Sequence, residues 1–404
     1  MEKLLVIAQQ WPEPDTNAAG LRMEQLLHFF KKRYEVHLAC AIEKTRFSHS
    51  IKGVQEHAIV LNDSSFQVFV RKLNPCLVVY DRFIIEEQFG WRFRESCPSA
   101  LQILNTEDLH FLRKARRAVY LNGGTITDYL RNNYVMRELG AIYRCDLSLI
   151  ISKFEHDFLM TEFNMSDKLL HYLPLCIPSQ KLSETFHKQR KDFMYIGNFN
   201  HPPNKDGFVF LMERIWPDIY EQLPHTQLHI YGAYMSDHLK SKYSKVPGVV
   251  IHGYIENVHA VMQQHQLLLA PVTYGAGLKG KVLTAMANGL PMVLSEVAAE
   301  GIFNLDEDFV TEISSPLTFV QKAVRIYKDK NVQNQIAQIG FETLANSFDF
   351  TNHFALFENR LKSKRTQLTA DRLDNIVGSI LSHDQHKAVK YFSLWIEEKN
   401  KNTK

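Results

Sequence analysis

Five cysteines among 404 residues, at positions 40, 76, 97, 145 and 176, are odd in number, scattered and free of any CxxC pair. That excludes a disulfide framework, and their places in or beside apolar strand-like runs read as reduced, buried thiols of a cytosolic protein. Long hydrophobic runs are also missing. No stretch reaches about eighteen apolar residues, so no membrane span is expected, and the opening MEKLLVIAQQWPEPD turns polar too soon for a signal-peptide core. Charge of one sign is equally scarce: 47 basic residues against 44 acidic ones leave a formal net charge of +3. This balance excludes a general nucleic-acid binder and confines any phosphate recognition to a local site. Solenoid-period repeats and low-complexity tracts are absent.

What is present is ordinary globular composition, 45% hydrophobic and 23% charged, in a chain too long for one compact core and suited to two. Short runs rich in Val, Ile, Leu and Tyr alternate with stretches of helical period, the pattern of parallel sheets covered by helices on both faces. Two such series occur. The first predicts strands near residues 4–8, 36–39, 58–61, 77–80, 101–104 and 147–151; the second near 194–197, 228–231, 249–252, 267–271 and 291–295. Each half reads as a Rossmann-type α/β unit. Between them, residues 173–192 carry two prolines and no sustained period, which suits an interdomain linker. The expected division is an N-terminal unit over 1–178, a C-terminal one over 190–348, and C-terminal helices over 349–404, the first returning to the N-terminal unit. The last of these is amphipathic, and its expected role stays open between packing on the body, contact with a dimer partner and peripheral attachment at the inner face of a membrane.

The most informative text is LLLAPVTYGAGLKGKVLTAMANGLPMVLSEVAAEGIF, residues 267–303. It reads as a buried strand ending at Pro271, a loop holding Gly275, Gly277 and Gly280, and a short helix beginning near Lys281 that stops at Gly289, with Pro291 beyond. A strand, a glycine loop and a helix start form an anion cradle: free backbone N–H groups and the positive end of the helix dipole face whatever enters. Lys279 and Lys281 add cationic side chains. In an open α/β sheet, ligands bind at this end of the strands.

This run resembles the donor-binding signature of glycosyltransferase family 4, and the upstream MYIGNFNHPPNKDGFVFLMERIWPDI resembles the first strand and loop of that family's nucleotide-binding domain. The resemblance is dense over residues 193–303. It implies a GT-B fold: two facing Rossmann-like domains, a nucleotide-sugar donor on the C-terminal one, the acceptor on the N-terminal one, retention of anomeric configuration and no metal or other cofactor. The single DxD-like string, Asp306-Glu307-Asp308, lies outside the cradle and reads as a solvated loop. Two departures stand out. The family's paired glutamates, eight positions apart, fall here on Ala276 and Thr284, and the arginine often set against the diphosphate falls on Asn198. Thr284 keeps one hydroxyl, Glu300 is a nearby carboxylate, and Lys205, Lys279 and Lys281 offer replacement charge beside Gly197. In the N-terminal half, Gly20 matches a family glycine that lets the first loop approach donor and acceptor, and Arg22 follows in the first helical turn.

The string LNTEDLHFLRKARR, residues 104–117, leaves the carboxyl end of a strand and places Glu107, Asp108 and His110 where a cleft is expected. A carboxylate or imidazole can deprotonate an acceptor hydroxyl, while lysines, backbone amides and the helix dipole meet the charge on a leaving diphosphate. Asp108 and His110 are therefore the catalytic candidates, with Glu107 and Arg22 on the acceptor side; Asp108 is equally suited to cap the following helix. The expected activity is hexosyl transfer from a nucleotide-diphosphate donor to a carbohydrate or lipid-linked acceptor. A catalytically silent scaffold, motivated by Ala276 and Thr284, is the alternative, and a nucleotide-sugar epimerase a weaker one.

Overall fold

The computed structural model describes residues 1–177 and 190–401; the stretch 178–189 of the expected linker lies outside the described residues. Two all-parallel sheets make the fold. The N-terminal sheet comprises β1 (Lys3–Ala8), β2 (Glu35–Cys40), β3 (Val54–Ala58), β4 (Leu77–Asp81), β5 (Leu101–Asn105), β6 (Leu147–Ile150) and β7 (Leu170–Tyr172), in the order β3-β2-β1-β4-β5-β6-β7. The C-terminal sheet comprises β8 (Lys191–Ile196), β9 (Leu228–Tyr231), β10 (Val249–Gly253), β11 (His265–Ala270), β12 (Met292–Ser295) and β13 (Val310–Thr311), in the order β10-β9-β8-β11-β12-β13. Central strands such as β1, KLLVIA, and β4, LVVYD, are buried almost throughout, as helices on both faces require.

Most strands fall where hydrophobic runs predict them. The third departs: the expected run 58–61 is the exit of the strand, which pairs Val54 to Ala58 with Val36 to Cys40 of β2. Its residues are only partly buried because it is the sheet edge, so it lacks the apolar run that marks its neighbours. The short edge strands β7 and β13 escape sequence reading because three and two residues are too few to show a period.

Helices Pro316–Lys328 and Lys330–Ser347 close the C-terminal half, with Gly340 seated against Met286. Helix Phe350–Asp374 then crosses back: Phe354, Phe357 and Leu361 enter the N-terminal core beside Phe29 and Phe30. The last helix, Ile376–Lys401, continues over the helices Phe83–Ser96 and Asn133–Arg144.

Both sheets reverse their winding, at β1/β4 and at β8/β11. A sheet of this kind offers its crevice at the carboxyl ends flanking the reversal. The loops after β1, β4 and β5 and those after β8 and β11 therefore come from the two crevices, and they face one another.

Candidate functional site

On the C-terminal side, β11 ends at Ala270 and helix Gly280–Ala287 begins after nine intervening residues, with Lys279 at its cap position making no side-chain cap bond. The loop between is buried against the N-terminal half. Gly277 has a φ of +66°, and a Cβ there would stand 2.8 Å from the Cβ of Asp108, so only glycine fits both the backbone and the approach. At Gly280 a Cβ would meet Ala18 at 2.7 Å.

The two lysines behave differently. Lys279 folds back, donating to the carbonyls of Ala276 (3.3 Å) and Gly277 (2.8 Å). Lys281 donates to Asn204 Oδ1 (2.8 Å) and sits over the Tyr195 ring. Burial lowers both pKa values, Lys281 to about 7 with the Lys279 charge contributing. The Thr284 hydroxyl donates to the Gly280 carbonyl of its own helix (2.9 Å). Glu300 receives both terminal nitrogens of Arg116 (2.7 and 2.6 Å), and Arg116 also donates to the Gly275 carbonyl (2.8 Å).

Gly197 and Asn198 follow β8. The Asn198 amide donates to the Thr16 carbonyl across the seam (3.4 Å), while Lys205 is exposed on helix Pro202–Phe210. Gly20 lies within helix Ala18–Phe30, where its N–H is capped by Asn17 (2.7 Å). Arg22 is buried in that helix and held inside the N-terminal half by Asn105 Oδ1 (3.0 Å) and the Leu173 carbonyl (2.5 Å). Nearby, a cavity of about 10 Å³ lined by Trp11, Gly20, Asp81 and Arg82 among others has room for a single water.

The expected cluster after β5 forms, with a different cap. The backbone N–H groups of His110 and Phe111, which open helix His110–Asn122, are received by the Glu138 carboxylate (3.1 and 2.9 Å). Asp108 is thereby free of capping and pairs with Arg113 and with His110 Nε2 at 3.4 Å. Burial opposes the Asp108 charge, but Arg113, His110 and His201 outweigh it and hold the carboxyl below its usual range. His110 is driven down to about 4 by burial, against the pull of Asp108. Glu107, at a φ of +59°, accepts from the Asn105 amide (2.7 Å); burial raises it to about 7, with Arg22 pulling it down and Asp81 pushing it up.

Glu155 was invisible in the sequence. It sits on helix Lys153–Glu162, fully buried, and one oxygen accepts the N–H of Leu109 (3.0 Å) and the N–H of Gly277 (2.7 Å). A carboxylate from the N-terminal half thus occupies the anion cradle of the other half. Burial, and next the Asp108 charge, push it up to about 8. His201, ahead of helix Pro202–Phe210, interacts with Asp108 from the C-terminal side and is pushed down to about 4 by burial. Tyr274 joins the seam through Asp206 and Arg117. No local motif announces these residues, since each acts across the seam. Among the described residues, no group of three or more His, Cys, Asp or Glu is placed to hold a metal ion. Asp308 of the acidic string pairs with Arg325 of helix Pro316–Lys328.

Comparison with known proteins agrees with this fold. Residues 190–329 match the family model of glycosyl transferases group 1. An uncharacterised 44.6 kDa protein from the cps region of Klebsiella pneumoniae is 22% identical over 179 residues, 43% of this chain and 46% of that protein. The chain thus spans about half the length of that curated relative. Sucrose-phosphate synthase from Thermosynechococcus elongatus superposes with a TM-score of 0.70 at 14% identity, covering 92% of this chain and all of that one. HepE of Anabaena, solved in complex with UDP, gives 0.66 at 12% identity, covering 90% of this chain and all of its own. At such identities the likeness is one of fold, and the fold is GT-B.

Proposed function

We propose that the chain is a hexosyltransferase that takes a sugar from a nucleotide-diphosphate donor on its C-terminal half and delivers it to a carbohydrate or lipid-linked acceptor, with retention and without a metal. The family match over 190–329 and the GT-B neighbours support sugar transfer in general. The observation that carries the finer reading is the meeting of a glycine loop, whose Gly277 N–H is held by the Glu155 carboxyl, with Asp108, His110 and Glu107 across one seam.

In this reading the donor diphosphate takes the N–H of Gly277 from Glu155, and Lys281 and Lys279 meet the charge that grows on it as the bond from the anomeric carbon to the phosphate oxygen breaks. The acceptor oxygen forms the new bond on the same face, and its proton passes to the departing phosphate oxygen. Asp108, held ionised, and His110, neutral at pH 7, orient the hydroxyls of sugar and acceptor. Arg116–Glu300 and Glu155–Gly277 join the two sides, so donor entry requires the halves to part.

A silent scaffold is the second reading, favoured by the Thr284 hydroxyl being spent on its own helix and by Ala276 offering no carboxylate. A thermal-shift screen against UDP, GDP, ADP and their sugar conjugates separates the two, since a ligand of the folded state at about a hundred times its Kd adds about 2.7 kcal/mol. A shift with one base, and nucleotide release that rises with acceptor, support transfer. No shift at millimolar nucleotide supports the scaffold.

A further inference from the structure

The last helix, Ile376–Lys401, is mounted with its polar side inward. Ser393 and Glu397 are 3% and 5% exposed. The Ser393 hydroxyl donates to Asn62 (2.8 Å), Arg92 reaches both Ser393 (3.3 Å) and Glu397 (3.0 Å), and Lys390 pairs with Glu95. The Arg92–Glu397 pair is almost wholly enclosed, so this orientation is specified by a buried contact.

The arc turned to solvent holds Ile376, Val377, Ile380, Tyr391, Phe392 and Trp395, each between 48% and 66% exposed. At 100° per residue these positions span roughly 160° of the helix. A helix lying on a globular body ordinarily does the reverse, burying its apolar stripe and wetting its polar one. Phe392 and Trp395 stack on each other at 5.9 Å, and Lys399 lies over the Trp395 ring at 5.4 Å.

We infer that this face docks on an anionic lipid surface, lying in its plane. Charge supports that occupant. Residues 384–404 contain five lysines against Asp384, Glu397 and Glu398, with Glu397 matched by Arg92 and Lys390 by Glu95. Tyr, Phe and Trp are the side chains that settle at the headgroup boundary, and an apolar face flanked by lysines is the pattern of an interfacial helix. Among the described residues no helix is long and apolar enough to cross a membrane, so the mode is adsorption. The inference rests on the helix alone and stands or falls separately from sugar transfer.

Three of the four tryptophans, Trp11, Trp91 and Trp216, are buried at 6%, 2% and 0%, whereas Trp395 is 58% exposed. Trp395 is therefore a built-in reporter. The test mixes the full chain with vesicles of phosphatidylcholine alone or with added phosphatidylglycerol. The expected result is co-sedimentation with the anionic vesicles that weakens as salt rises, a blue shift of emission absent in Trp395→Phe, and quenching by brominated acyl chains. The triple variant Tyr391→Ser, Phe392→Ser, Trp395→Ser, with an unchanged thermal midpoint, should bind about tenfold more weakly or worse. Absence of binding, equal binding to neutral vesicles, or equal binding by the triple variant overturns the inference. So does a lipid-free dimer in sedimentation equilibrium that the triple variant abolishes, which would assign the face to a second copy.

Discussion

The two sides of the seam are built by opposite means. The cradle on the C-terminal side is one contiguous run, residues 271–281, that offers backbone N–H groups, small residues and two lysines, with Asn198, His201 and Glu300 at its margins. The N-terminal side is gathered from separate places: Glu107, Asp108 and His110 after β5, Glu138 from helix Asn133–Arg144, and Glu155 from helix Lys153–Glu162. A binding surface made of backbone leaves its mark in consecutive residues, because each glycine answers a local φ or a close approach. One made of buried carboxylates does not, because each is recruited by an N–H group or a cation that is distant in sequence.

The contrast can be broken most forcefully at Glu155. Replacing it with Ala strands the N–H groups of Leu109 and Gly277, each costing about 1–3 kcal/mol when buried; urea denaturation should show a loss of about 2–5 kcal/mol. Glu155→Gln keeps an acceptor oxygen and should cost about 1 kcal/mol or less. If both variants cost the same, the bridge depends on charge rather than on the accepted hydrogen bonds.

Next in size is Arg116→Ala, which removes the enclosed bidentate pair with Glu300 and should cost about 1–3 kcal/mol. It should also raise the radius of gyration in solution scattering as the halves separate; an unchanged radius would show that Glu155 and the glycine loop suffice to hold the seam. Lys281→Ala should lower the thermal shift produced by the preferred nucleotide by about a tenfold change in Kd, about 1.4 kcal/mol, with little effect on the free protein. A variant that retains the full shift would remove Lys281 from the cradle.

The pH dependence sharpens the comparison further. Glu155 and Glu107 titrate at about 8 and 7 in the fold, above the unfolded carboxyl value near 4.3. The folded state holds protons that the unfolded one releases, so their contribution is full below about pH 4 and is lost as pH rises toward 8. His110 and His201 lie at about 4, below the unfolded imidazole near 6.5, so their contribution is held above that value and lost as pH falls. Between about pH 6.5 and 8 the carboxyl loss is opposed by Lys281, which at about 7 sheds a proton that the unfolded chain keeps. Stability measured by denaturant should fall from about pH 6.5 and level off toward about pH 8; Glu155→Gln should reduce the fall, and Lys281→Ala should carry it on to about pH 8. Smallest of all, Thr284→Ala should change stability by no more than about 0.5 kcal/mol, because its hydroxyl bonds only to the carbonyl one turn back in its own helix.

Reading the sequence located both sheets, the glycine loop and the polar string after β5. It missed β7 and β13, too short to show a period, and placed β3 too late because an edge strand has one wet margin. It left open whether Asp108 caps the helix after it, a task that Glu138 performs from 28 residues away. Arg22, expected beside Glu107, does pair with it at 3.7 Å, and its side chain is enclosed by Asn105 and Leu173.

The sequence by itself determined what local geometry and hydrophobic period can determine: two parallel α/β halves, and a cradle whose glycines answer to the backbone of their own loop. Only the tertiary structure decided which buried charges meet there, that Glu155 rests on Gly277, and that the last helix turns its aromatic face outward. The physical reason is that burial and pairing of charge are properties of three-dimensional neighbours, and a carboxylate reads the same in the chain whether it will face water, an arginine or a backbone N–H from the opposite half.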